Sequence, residues 1–136
     1  MDSGYQPDAE EMQQAFHAHL FAGLAAILFC GMIFPVGAPL LVMAMAKEKR
    51  PFMLYHINQA VIFQAAIFVF NSAMGIVGGI LAIFCVGYLL LALIPIAVLG
   101  GAIFAFVIGS GAKAGAWNEY PVVGQKVLRE WKPAFT

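Results

Sequence analysis

Charged and apolar positions in this chain fall in separate blocks. Residues 57–112 form a run of 56 without an Asp, Glu, Lys or Arg, and residues 20–46 supply a second uncharged run of 27. At about 1.5 Å per residue the longer run would make a helix of roughly 84 Å, against a bilayer hydrocarbon core of ~30 Å. It must therefore fold back, and two spans at about 57–80 and 88–112 satisfy it, with a turn near 81–87 that no polar residue marks. The pattern predicts an all-α integral membrane protein, a single polytopic domain over 1–136 with three transmembrane helices. Residues 1–15 read as a polar tail whose later part, from Ala9, already has a helical pattern. Val123, Val127, Leu128 and Trp131 at three- and four-residue spacing, opposed by Lys126, Arg129, Glu130 and Lys132, predict a short amphipathic helix over 120–132.

The first run is interrupted. Phe34-Pro35-Val36-Gly37-Ala38-Pro39 places two prolines four apart, each removing a backbone donor. We expect one kinked span over 16–46, since neighbouring helices can satisfy the freed carbonyls. The alternative is a re-entrant hairpin, which raises the count to four helices. Pro95 is expected to kink the third span.

Composition agrees with the pattern. Hydrophobic residues make up 62% and charged residues 10%, against roughly 25% charged in an ordinary soluble domain. A net charge of zero leaves no electrostatic footprint for nucleic acid. The first basic residue is Lys47, after four acidic ones, so the N-terminus lacks the basic start of a secretory signal and the first span is expected to be retained. All seven basic residues fall at 47–50 or from Lys113 onward. With three spans these segments share one side, which the positive-inside rule makes cytoplasmic. A multi-pass membrane location with the C-terminus cytoplasmic follows. Cys30 and Cys85 lie in apolar runs without paired or metal-ligand spacing, and no metal or other cofactor is expected.

Two patterns stand out within the spans. His56, Ala60, Gln64, Ile67, Asn71, Gly75 and Gly78 fall within about 100° of one another on a helix, a polar and small face that should meet protein or water. His56, Gln59, Gln64 and Asn71 are the candidate binding residues, although interhelical hydrogen bonding is the simpler reading of Gln64 and Asn71. Ala97, Gly101, Ala105 and Gly109 are spaced every four residues, with Gly75 and Gly79 as a counterpart, and this spacing lets helix backbones approach closely. His17 and His19 sit two apart on different faces. In the three-span arrangement they lie across the membrane from His56, which excludes bis-histidine haem ligation by one chain. No intramembrane charge, nucleophile–base pair or phosphate loop points to an enzyme.

The segment His56-Ile57-Asn58-Gln59-Ala60-Val61-Ile62-Phe63-Gln64 resembles the His-x-x-x-Ala-x-Asn-Phe-Gln signature of a family of small bacterial membrane proteins of unassigned function. That family is related to the twenty-kilodalton subunit of the chloroplast inner-envelope translocon, the Tic complex. Gly37-Ala38-Pro39-Leu40, the basic loop with Pro51-Phe52, and Gly115 through Tyr120-Pro121 are similar to further pieces of it, in order, over roughly 14–128. Ile62 departs from the usual Asn. In the plant relative four helices with both termini on one side are described, which favours the hairpin alternative. The functional expectation is a non-enzymatic membrane protein acting through helix packing, as an accessory or assembly subunit or a Tic-like translocation component. Its expected partners are the lipid bilayer and other membrane subunits or further copies of itself. The rivals are an oligomeric channel or carrier lined by Gln64, Asn71 and Ser110, and a pigment- or haem-associated subunit.

Overall fold

The computed structural model describes residues 5–29, 32–121 and 123, so the helix expected over 120–132 lies almost wholly outside the described residues. Four α-helices follow one another: α1 (Ala9–Leu28), α2 (Phe34–Met45), α3 (Pro51–Leu81) and α4 (Val86–Lys113), with a 3₁₀ turn at Ala82–Phe84 between the last two. No strand occurs among the described residues.

Local chemistry sets the ends. Asp8 caps α1, its carboxylate accepting from the Glu11 N–H at 2.9 Å, and Glu10 and Glu11 favour the positive end of the helix dipole. Pro35 and Pro51 sit in the first turns of α2 and α3, where a missing N–H costs nothing. Pro39 lies inside α2 and Pro95 inside α4, and each helix is continuous through it. The turn into α4 places Cys85 at φ 60, and Gly87 touches the opposing strand of backbone so closely that a Cβ there would collide with Gly78 O and Ala82 N.

The first uncharged run is not one kinked span. α1 ends at Leu28, α2 begins at Phe34, and α2 returns along α1. Phe29 meets Phe34 at 4.8 Å across the turn, and far below it Ala18 packs with Val42, Met53 and Ile57 in one buried cluster. Pro35 sits in the first turn of α2, where its missing N–H and fixed φ suit a helix start, whereas in a continuous α1 it would remove an interior hydrogen bond. The three-span count is therefore not confirmed: α3 and α4 are long and apolar enough to cross a membrane, while α2, at 12 residues or about 18 Å, is not. The expected spans 57–80 and 88–112 lie within α3 and α4.

Antiparallel packing fixes the relative heights. Ala15 packs with Ala112, His19 meets Gly109, and Gly23 meets Ala102 and Ala105. Gly101 meets Ile67, and Gly78 meets Leu91. α1 thus runs beside the C-terminal half of α4 only, ending near the level of Leu99, which in turn lies near Phe68 of α3. Above that level α3 and α4 continue alone for some 12 residues, about 18 Å. We call the four-helix end the base and the two-helix end the distal half. No charged residue occurs between 51 and 112, so every described charge belongs to the base or its flanks.

Candidate functional site

The base holds a buried polar network. Glu11, 1% exposed, turns its carboxylate toward the start of α3, where one oxygen accepts from the Phe52 N–H at 2.7 Å and the Met53 N–H at 3.2 Å. These are two of the orphan donors of a helix N-terminus, so an α1 side chain caps α3 and meets the positive end of its dipole. Tyr5 donates to the other carboxylate oxygen at 2.7 Å. Burial, reinforced by that hydrogen bond, pushes Tyr5 up to about 12, so it stays a donor throughout the neutral range. Arg50 pairs with Asp8 and Glu48, tying the α2–α3 loop to the head of α1.

Beside it, His19 is hydrogen-bonded on both sides. Its Nδ1 is 2.9 Å from the Tyr120 hydroxyl and its Nε2 is 3.0 Å from His56 Nδ1. If Tyr120 donates, His19 passes a donor on to His56; if His19 Nδ1 carries the proton, the direction reverses. Burial raises the Tyr120 hydroxyl well above the ordinary tyrosine range, which keeps it protonated. His19 and His56 therefore lie on one side of the molecule, in contact, and not across a membrane from each other. That placement follows from the α1–α2 reversal. His17 points elsewhere and stacks on Phe21 at 5.5 Å.

Gln59 fastens the segment after α4. Its amide N–H donates to the Asn118 carbonyl at 3.1 Å and its oxygen accepts from the Tyr120 N–H at 3.2 Å, as a neighbouring strand would. Tyr120 stacks on Phe63 at 4.0 Å, Trp117 packs edge-on against Phe52 at 4.9 Å, and Tyr55 donates to Glu119 at 3.1 Å. The two motifs 50 residues apart in the chain, around His56–Gln64 and Gly115–Pro121, are thus two halves of one structure.

The other candidates lie higher. Gln64 and Asn71 are 1% and 7% exposed, and neither amide has a hydrogen-bond partner among the described residues. Gly101, Ala105 and Gly109 all face helices closely: Gly101 against Ile67, Ala105 at 3.3 Å from a Cβ built on Gly23, and Gly109 so near α1 that a Cβ built on it would lie 2.9 Å from His19 Cβ. Ala97 is half-buried. Gly75 and Gly79 have open space beside them, and the close approach of α3 to α4 is made at Gly78 and Gly87. Ser110 bonds its own helix, donating to the Phe106 carbonyl at 2.7 Å. The complementary small face lies on α1, where Ala15, Ala18, Ala22 and Ala26, at three- and four-residue spacing, are fully buried, a signal that sequence reasoning missed. Glu11 was missed too, its acidity giving no hint of burial.

Comparison with known proteins decides the family. The model of the magnetosome magnetite crystal formation proteins (MamF/MmsF) matches residues 10–127. The chain belongs to that family. The match takes in both halves of the base network, from Glu11 to Tyr120. No curated protein and no solved structure matches. Nothing in these comparisons supports the relation to the chloroplast translocon subunit, and the resemblance drawn from the motifs narrows to this family of small membrane proteins. As a MamF/MmsF protein with two long apolar helices, the chain is a membrane-associated helical protein of a magnetosome family.

Proposed function

We propose that the protein is a non-enzymatic, multi-pass accessory subunit of the magnetosome membrane that serves magnetite crystal formation by packing and assembly. It is a protein of the bacterial inner membrane, with its base, and hence its C-terminal segment, on the cytoplasmic side. The observation that carries this reading is how the buried polar groups of the base are used. Glu11 is engaged by two backbone N–H groups and Tyr5, Gln59 by the backbone of 118–120, and His19 by Tyr120 and His56. Groups so committed build a rigid platform and are poorly placed to bind substrate or relay protons. The basic residues Lys47, Lys49, Arg50 and Lys113 at that end support the orientation.

The test is a deletion in a magnetite-forming host, complemented with the wild-type chain or with Glu11→Ala. Crystal size and number are read by electron microscopy, and partners by pull-down in mild detergent. Altered crystals restored by the wild type, with other membrane proteins co-purifying, is the expected result. Unaltered crystals and recovery of this chain alone would sink the reading. A translocation component is one form it could take, read by defective protein delivery to the membrane in the deletion strain.

A channel or carrier is the second reading, favoured by the unpartnered amides of Gln64 and Asn71 in mid-helix. Absence of conductance in reconstituted protein, with Gln64→Leu and Asn71→Leu complementing fully, removes it. A pigment- or haem-bearing role would need a free histidine nitrogen, whereas both buried histidines are engaged, His19 by Tyr120 and His56, and His56 by His19 and the Ala116 backbone; an absorption spectrum of gently purified protein decides it.

A further inference from the structure

The α1–α2 hairpin stops halfway up the molecule. The ends of α1 at Leu28 and α2 at Phe34 lie near the level of Phe68 and Leu99, as the contacts of Gly23 with Ala102 and Ala105, and of Gly101 with Ile67, require. The apolar run of α3 that begins at Ile57 is divided there into two nearly equal parts, each about 18 Å long and so about half of a ~30 Å hydrocarbon core. The tip itself is apolar and open: Phe29, Met32, Ile33 and Phe34 are between 44% and 58% exposed. Such a tip suits acyl chains and would be costly at a headgroup boundary.

Above it, among the described residues, α3 and α4 pack only on each other and on the turn that joins them. Val69, Ile76, Ile80, Ile83, Leu89 and Ile96 are all more than 60% exposed. Among the described residues nothing meets a Cβ built at Gly75 or Gly79 within 4 Å, so α3 has open space at these positions above the tip. With helices of ~10 Å diameter, the protein displaces about twice as much area in the base leaflet as in the distal leaflet.

We propose that the chain is a membrane wedge whose partner is a curved bilayer, with the base in the convex leaflet and the distal half in the concave one. Lipid fills the notch above the hairpin. In a flat bilayer the two leaflets must accommodate unequal inclusions, whereas convex bending expands the base leaflet relative to the distal one. In a closed compartment inside a cell the cytoplasm-facing leaflet is the convex one. The basic residues at the base assign it to that leaflet. The inference rests on membrane residence and on the half-length hairpin, and not on any role in crystal formation.

Cys85 makes the test simple, because it is an exposed thiol in the turn at the distal end. The full chain carrying Cys30→Ser is reconstituted by detergent removal into small and into large vesicles of neutral phosphatidylcholine. A membrane-impermeant maleimide then reports the fraction with the distal end outward. The wedge requires that fraction to fall by about twofold or more in the small vesicles, a bias that needs only a fraction of a kcal/mol. Equal fractions in both sizes overturn the proposal, and so does a rise. Gly75→Phe with Gly79→Phe adds bulk to the open space of the distal half and should weaken the bias. A bias unchanged in that variant arises from something other than shape and also overturns it. A vesicle-bound dimer with no bias shows the notch filled by a second copy, with the same consequence.

Discussion

The base and the distal half are built from the same two long helices, yet they are held by different forces. In the base four helices converge, small residues bring backbones together, and polar side chains cross from element to element: Glu11 to the head of α3, His19 to His56 and Tyr120, Gln59 to the segment after α4. The distal half has two helices, one close approach at Gly78 and Gly87, and aliphatic side chains turned outward. Lipid supplies no hydrophobic driving force between helices, so packing and hydrogen bonds must hold a membrane fold together. The base has both. The distal half has only packing, concentrated at one point.

That contrast can be broken at its narrowest place. Gly87→Ala sets a methyl group against the backbone of Gly78, Leu81 and Ala82, which cannot retreat as a side chain could. We expect a loss on the order of 3 kcal/mol, read as reduced resistance to SDS unfolding from mild detergent. Gly79→Ala, into open space, should be neutral or gain up to ~1 kcal/mol of helix propensity. Similar losses at both positions would mean that the distal half is packed against something else.

In the base, Glu11→Ala strands two buried N–H groups and the Tyr5 hydroxyl. It should cost about 2–3 kcal/mol by the same assay, and Glu11→Gln should recover part of it through its remaining carbonyl. Gln59→Ala removes two bonds and should cost about 2 kcal/mol. Its specific signature is release of residues 115–120, seen as faster amide hydrogen exchange there with α3 unchanged. The smallest effect has the opposite sign. Gln64→Leu and Asn71→Leu replace unpartnered buried amides with apolar groups of similar size, and each should stabilise by about 1 kcal/mol. A destabilisation would place an ordered water or another polar partner on these groups.

Much of the distal half was legible in the sequence. Uncharged runs of hydrocarbon-spanning length report on themselves, so the spans 57–80 and 88–112 fall inside α3 and α4 despite a turn without polar residues. The base was less legible, because it is made of long-range pairs. Glu11 counted as one more acid in a polar tail, since nothing local signals that α3 begins beside it. His19 and His56 seemed to lie on opposite sides because the direction of the chain after Ile33 was misjudged. Pro35 and Pro39 mark a disruption without saying whether the chain bends or reverses, and that one ambiguity set the topology of everything before it. The small residues of α4 were read from their spacing, but their counterpart was sought at Gly75 and Gly79 when much of it lies on α1, at Gly23 and the buried alanines. Spacing identifies a face able to pack closely, and it does not name the neighbour.

The central claim is that the α1–α2 hairpin ends halfway through the membrane, and the depth of its tip tests that most directly. A spin label at Met32→Cys, exposed at the tip, in a chain carrying Cys30→Ser and Cys85→Ser, can be read in reconstituted bilayers by relaxation with oxygen and with a water-soluble nickel chelate. The account requires high oxygen and minimal nickel accessibility, the signature of the bilayer centre, with a label at Cys85 in the distal turn showing the reverse. Nickel accessibility at position 32 equal to that at position 85 would place the tip at the far surface and contradict it.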